Sequence, residues 1–258
     1  MRASEMERIK ALPLFSDASD AWFRHIVESA HLQRFPSGTL LLLEGDPVDF
    51  LYVLLDGQVE LHGTWNDKET VLAILRPVST FILAAVVLDA DALMSARTLS
   101  RCEILMISGD AIRKGMRAEP NFAAAVSRDL AGGFRTMVRA VKTQKLRSGV
   151  ERLANYLLAL HAEQTEPAAT LCLPYEKRIL ASLLGMTPEN LSRAFVTLQK
   201  YGVLVKGALV TLSNPAALRA FAKPDPLIDM HAPRGGDILA AADAEIWVTQ
   251  ATRRNTRP

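Results

Sequence analysis

Residues 180–200, LASLLGMTPENLSRAFVTLQK, restrict the possible folds more than any other stretch of the chain. Gly185 stands where the chain must turn sharply, in a left-handed conformation that glycine adopts at little cost. Thr187 then has the position of an N-cap, Pro188 that of the first helical residue, and Glu189 lies in the first turn. Leu191, Ala194, Phe195 and Leu198 recur at i, i+3, i+4 and i+7, which makes one apolar face. Glu189, Arg193 and Lys200 occupy the opposite face, with Ser192 and Thr197 on its flanks. The pattern predicts two helices joined by a tight turn, a helix-turn-helix. A helix that points carboxylate, guanidinium and hydroxyl groups outward can enter a DNA major groove and meet base edges. An amphipathic helix pair in an all-α protein has the same spacing, so the stretch that follows matters. Tyr201-Gly202 ends the second helix. Val203-Leu204-Val205 and residues 208–212 read as two short strands around Lys206-Gly207. Such a hairpin is the wing of a winged helix, and it would place Lys206 near phosphates.

The 258 residues suit one large domain or two modest ones, and a hydrophobic content of 49% supports packed cores. The net charge of +2 is neutral on nucleic acid, because a DNA reader needs a local basic face rather than a basic total. A local bias exists. Lys142, Lys145, Arg147, Arg152, Lys177, Arg178, Arg193, Lys200 and Lys206 all lie in the second half, where a solvated surface is the ordinary role for most of them. The two cysteines, Cys102 and Cys172, have no ligand-like spacing, so no zinc or iron–sulfur site is expected. Two thiols suit a reducing compartment, residues 1–10 are too charged for a signal peptide, and apolar runs such as 81–88 are too short to span a bilayer. The expected location is cytoplasmic, with no membrane partner. No nucleophile elbow, metal-ligand spacing or Walker-type loop points to an enzyme.

Residues 5–12 and 20–30 read as short helices. Residues 40–43, 50–55, 58–62, 71–75 and 104–107 are short β-like runs, separated by turn signals such as Pro36-Ser37-Gly38 and Trp65-Asn66-Asp67. Asp56-Gly57, between two apolar runs, is a hairpin cue. Many short strands at this spacing predict a β-barrel or jelly roll. A long helix follows over residues 120–144. Its spaced apolar seam, Phe122, Val126, Leu130, Met137 and Val141, with Phe134 and Val138 nearby, suits a dimer interface. Packing onto its own domain is the alternative. Gly132-Gly133 permits close approach or a bend. Residues 150–162 read as another helix and 163–169 as a polar link. The expected organisation is α+β: a sensor domain over 1–118, a dimerisation helix over 119–145, a winged helix-turn-helix over 146–223, and a partly disordered tail over 224–258 with a helix near 238–248.

This order of a double-stranded β-roll, a long helix and a winged helix-turn-helix resembles the CRP/FNR superfamily of bacterial transcription regulators over residues 12–222. PSGTLLLLEGDPVDFLYVLLDGQVEL and SARTLSRCEILMI carry the resemblance in the first half, and LGMTPENLSRAF carries it in the second. The pattern Glu189-x-x-Ser192-Arg193 is similar to the reading helix of the FNR branch. The resemblance implies a homodimer on a TTGAT-like palindrome, with RNA polymerase as a further partner. It also implies that Arg193 donates to a guanine, that Glu189 accepts from a cytosine amino group and orients the arginine, and that Ser192 touches a base edge nearby. Thr187, Pro188, Lys177, Lys200 and Lys206 complete the expected DNA-binding set. Pro188 stands where the cAMP-receptor branch has a second arginine, so that branch's operator preference does not carry over.

The sensor half departs from the cyclic-nucleotide pattern. The matching run Thr80-Phe81-Ile82-Leu83-Ala84 lacks the ribose-binding carboxylate, and Ala92-Leu93 stand at the phosphate-binding Arg-Ser positions. Arg97 reaches that place only with an alignment shift. Neither cAMP nor an iron–sulfur cluster is therefore expected, and no cysteine precedes Cys102. The run RPVSTFILAAV…SARTL resembles a proteobacterial subgroup linked to iron uptake and, more loosely, nitrogen-oxide or haem-based sensors. Haem would need an axial ligand among His25, His31, His62, Cys102 and Met94. Of these, His25 and His31 read as surface residues, His62 as solvent-facing at a strand end, and Cys102 as a small core residue. The effector-binding residues stay unassigned. The competing reading is a module without DNA, in which a small-molecule-binding roll controls a partner protein.

Overall fold

The computed structural model describes residues 3–164 and 170–229. The expected tail helix at 238–248, the tail's end and residues 165–169 of the polar link lie outside the described residues. The chain divides into two compact units, one reaching Thr136 and the other starting at Met137.

The first unit opens with α1 (Ala3–Lys10) and α2 (Asp20–Glu28). Ser19 caps α2 by accepting from the Trp22 amide, and Phe23, Ile26 and Val27 are its buried face. Eight strands follow: β1 (His31–Phe35), β2 (Leu40–Leu42), β3 (Phe50–Asp56), β4 (Val59–Trp65), β5 (Lys68–Leu75), β6 (Ser79–Phe81), β7 (Ser95–Thr98) and β8 (Cys102–Ser108). They form two antiparallel sheets of four, ordered β1-β8-β3-β6 and β2-β7-β4-β5. Short helix α3 (Leu83–Leu88) lies between β6 and β7, and α4 (Gly109–Ala118) follows β8. One core holds Leu51, Val53, Leu54, Val59, Leu61, Leu75, Ile104, Leu105 and Ile107 from the strands together with Phe15, Phe23 and Ile26.

Two turns resemble each other in sequence and behave differently. Asn66 and Asp67 both take positive φ (47° and 60°) and close the β4–β5 hairpin, as a two-residue loop with the matching twist should. The Asp56-Gly57 cue, by contrast, makes no hairpin: β3 and β4 belong to different sheets. Gly57, at φ +91°, turns the chain over β8. A Cβ there would lie 2.3 Å from the Arg101 carbonyl oxygen and 2.7 Å from Cys102 Sγ, so close approach rather than strand pairing requires the glycine.

The long helix, α5 (Pro120–Leu146), starts at the expected residue and ends within two of the expected bound, and its seam is split. Phe122 and Val126 are fully buried in the core of the first unit, and Leu130 packs against that core. The structure thus corrects the expected interface at these three positions, whose apolar side chains are already covered within the domain. Further along, Phe134 (71% exposed), Met137, Val138, Val141 and Leu146 face outward. The boundary between the units falls within this helix.

The second unit contains α6 (Gly149–Ala162), β9 (Thr170–Cys172), α7 (Lys177–Leu183), α8 (Pro188–Leu198), β10 (Val203–Lys206), β11 (Leu209–Leu212), α9 (Pro215–Ala222) and α10 (Pro226–Asp229). The strands form a three-stranded antiparallel sheet ordered β10-β11-β9. Leu153, Leu157 and Leu160 of α6 share a core with Leu180, Leu191, Phe195, Leu198, Val203, Val210 and Leu218. Among the described residues, no helix is long and apolar enough to cross a membrane.

Gly115 of α4 packs tightly against α2: an added Cβ would lie 2.2 Å from Trp22 Cζ2. Trp22 in turn sits 4.1 Å, centroid to centroid, from Phe122. Gly115→Ala is expected to destabilise this unit by about 1–3 kcal/mol through overpacking, measured as a lower urea midpoint of unfolding.

Candidate nucleic-acid interface

The turn before α8 is held by hydrogen bonds that its sequence encodes. α7 ends in a Schellman motif: the Met186 amide donates to the Ala181 carbonyl (2.9 Å) and the Gly185 amide to the Ser182 carbonyl (2.8 Å). Gly185 supplies the required left-handed residue at φ +62°. Thr187 then caps α8 by accepting from the Asn190 amide at 3.3 Å, and Pro188 occupies the first turn, where its missing N–H is no loss.

A residue from α6 grips this turn. Arg152 donates from Nε to the Leu184 carbonyl (2.8 Å), from Nη2 to the Gly185 carbonyl (3.2 Å) and from Nη1 to the Arg147 carbonyl (2.8 Å). Burial pushes its pKa down. The sequence reading placed Arg152 only within a basic half. Its contacts are 5 to 33 residues away in the chain, so no local pattern reveals them. Beside it, Ser148 and Glu151 form a reciprocal capping box at the start of α6. Arg147 forks onto Asp229, donating to Oδ1 and Oδ2 at 2.6 Å each.

Mounted on this support, α8 buries Leu191, Ala194, Phe195 and Leu198, the apolar face read from the sequence. Glu189, Asn190, Ser192, Arg193, Val196, Thr197 and Lys200 are exposed. Arg193 is exposed and makes no ion pair among the described residues, and its guanidinium carries five N–H donors and no acceptor. Glu189 is held below the usual glutamate pKa by its own backbone amide, then by the Thr187 hydroxyl and the nearby Arg193 charge. It therefore stays an ionised acceptor. Ser192 donates its hydroxyl proton to the Pro188 carbonyl (3.0 Å), which leaves its oxygen able only to accept. Thr197 likewise donates to the Arg193 carbonyl (3.0 Å).

Lys177, at the start of α7, is exposed and reaches over the Phe195 ring (5.8 Å to the centroid). Lys200 lies over Tyr201 at 5.0 Å. Lys206 is exposed at the end of β10, beside Gly207 (φ +65°), at the tip of the wing. The unit thus presents one reading helix and a basic hairpin tip, each with its polar groups outward.

The sequence matches the cyclic nucleotide-binding domain family over residues 32–119 and the Crp-like helix-turn-helix domain family over residues 151–221. The chain belongs to the CRP/FNR superfamily of DNA-binding transcription regulators. Among its relatives, the CRP-like cAMP-activated global transcriptional regulator of Mycobacterium tuberculosis is 24% identical over 189 residues, covering 71% of this chain and 84% of that protein. The global nitrogen regulator of Synechococcus elongatus is 22% identical over 194 residues, covering 72% and 87%. In fold, the regulator is similar to FixK2 of Bradyrhizobium japonicum (TM-score 0.64, 20% identity, covering 74% of this chain and 96% of that one). It is also similar to a CooA mutant of Carboxydothermus hydrogenoformans (TM-score 0.65, 17% identity, covering 77% and 90%).

The positions compared with the cyclic-nucleotide pattern, Thr80 to Ala84 and Ala92-Leu93, carry no charged side chain. Leu83 and Ala92 are buried, Ala84 is exposed, and Leu93 is 83% exposed. Ile82 takes φ +68°, a strained value for a β-branched residue. Arg97 does not reach these positions; its guanidinium lies against Glu69, His62 and Glu60. Of the five candidate haem ligands, His25 and His31 are exposed, Met94 is half-buried and Cys102 is buried. His62 departs from expectation: it is 4% exposed rather than solvent-facing, because it lies on the same covered face of β4 as Glu60.

Thr187→Ala removes the α8 cap and is expected to cost about 1 kcal/mol of stability. Thermal unfolding of the protein, monitored by circular dichroism, measures it.

Proposed function

We propose that this regulator is a homodimer that reads a TTGAT-like palindrome with α8 of each subunit, under the control of an effector sensed in the β-roll. The observation that carries the reading is the outward pair Glu189 and Arg193 on a helix whose other face is packed against α6 and the wing. Arg193 donates both N–H groups of its fork to guanine O6 and N7, and Glu189 accepts from the cytosine amino group. Ser192 contributes an acceptor to a neighbouring base edge. Thr187, Pro188, Lys177, Lys200 and Lys206 approach the sugar-phosphate backbone, where they set position rather than sequence.

Dimerisation uses the outer half of α5. Phe134, Met137, Val138 and Val141 form an exposed apolar row. A Cβ on Gly133 would meet nothing within 4 Å, which leaves room there for a second helix. Two reading helices about 34 Å apart then meet successive major grooves on one side of the duplex. The protein works in the cytoplasm alongside RNA polymerase and has no catalytic role. The lack of charged side chains at Thr80 to Ala84 and Ala92-Leu93 argues for an effector other than cAMP, and haem remains a candidate effector; an iron–sulfur cluster does not fit two cysteines without ligand spacing.

Arg193→Ala is expected to cost about 1–3 kcal/mol on a TTGAT palindrome and little on random DNA, whereas Lys206→Ala weakens both alike and lowers the salt slope. Fluorescence anisotropy at fixed ionic strength distinguishes them, and equal losses on both DNAs for Arg193→Ala would refute base reading. Val141→Glu introduces a charge into the apolar row and is expected to yield monomers. Analytical ultracentrifugation reads the state directly, and binding to the palindrome should fall with it.

A further inference from the structure

The covered face of β4 carries a cluster that the DNA-binding function does not use. Glu60 and His62 are 5% and 4% exposed, and the half-exposed Glu69 reaches them from β5. His62 Nδ1 lies 3.7 Å from Glu60 Oε1, and His62 Nε2 lies 3.8 Å from Glu69 Oε2. One donor atom from each residue can be chosen so that all three lie within 4.8 Å of one another.

A cation already marks the centre of this group. Arg97 Nη2, from β7, is 2.7 Å from Glu69 Oε1, 3.1 Å from His62 Nε2 and 3.9 Å from Glu60 Oε1. A guanidinium can only donate, so Nε2 is the accepting nitrogen and the ring proton sits on Nδ1. That Nδ1 is buried and has no hydrogen-bond partner, since Glu60 lies too far away for one. The imidazole is thus held with its lone pair aimed at the cation position and its other edge unsatisfied. A structural ion pair needs neither the histidine nor this convergence of three donors on one point.

We propose that Glu60, His62 and Glu69 form a binding site for a divalent transition-metal ion, with Zn(II) the best match to one imidazole and two carboxylates, and that the ion displaces the Arg97 guanidinium. Nitrogen and carboxylate donors suit zinc at about 2.0–2.2 Å, so the donors close in by about 1 Å or more around a metal. Glu69 can do so readily from the exposed side of the hairpin. Arg97 is one-third exposed on a long, flexible stem, and its departure leaves the fourth position to water. Arg97 competes with the metal, and metal entry frees an arginine on β7. The site lies wholly within the first unit and does not depend on the DNA reading above.

The test is zinc titration of the chelator-stripped, tag-free, full-length protein against a chromophoric competitor, repeated with Co(II) for its ligand-field spectrum. Wild type is expected to bind one equivalent per chain at this site. His62→Ala and Glu69→Gln should each weaken it about tenfold or more, as loss of a ligand does. Arg97→Ala should tighten it, a gain that misfolding cannot produce. Glu69→Gln changes a half-exposed position and so keeps the test decisive if His62→Ala does not fold. The same zinc affinity in wild type and Glu69→Gln overturns the site, as does an Arg97→Ala protein that stays folded and binds zinc no more tightly.

Discussion

The grip of Arg152 on the turn before α8 is the contact on which the reading surface depends. A helix-turn-helix works only if its second helix leaves the turn at one angle. The carbonyls of Leu184 and Gly185 sit at the end of α7, where no further helical N–H can reach them. Arg152 satisfies both, and ties them to the carbonyl of Arg147 just before α6. One side chain thereby ties the start of α6 to a turn 32 residues further along the chain. The Schellman motif and the Thr187 cap then set the direction of α8 from within the turn itself. The outward groups of Glu189 and Arg193 inherit their geometry from these contacts.

Local chemistry and long-range packing differed in how far they could be read from the sequence. The reading helix was legible because its cap, its first-turn proline and its four buried positions are all local signals, and the structure places Leu191, Ala194, Phe195 and Leu198 inside. The wing strands were legible for the same reason. Asp56-Gly57 misled because a glycine with positive φ serves a hairpin and a chain crossing equally well; only the neighbour, Cys102 of β8, tells them apart. Strands β1, β6 and β7 were not recognised: two of them have three or four residues, and β1 shows no clear alternation of buried and exposed positions. His62 looked exposed beside Gly63, but sheet pairing and Arg97 enclose it. Arg152 could not be found from spacing at all.

The long helix shows how one apolar stripe can answer to two partners. A heptad-like seam in sequence does not say which surface covers it. Here the first turns are covered by the chain's own α2 and β-roll residues, while the later ones point outward. The sensor half, matched by the cyclic nucleotide-binding domain family over residues 32–119, is a roll of two four-stranded antiparallel sheets.

The stacking of Phe122 on Phe15, with Trp22 pressed between Gly115 and Phe122, has a mechanical consequence. Rings packed this closely turn with difficulty unless their backbones move with them, because well-packed interiors transmit strain. The root of α5 is therefore cast into the roll like a shaft set in its bearing block. A displacement of α2 or α4 therefore presses on that shaft through Trp22.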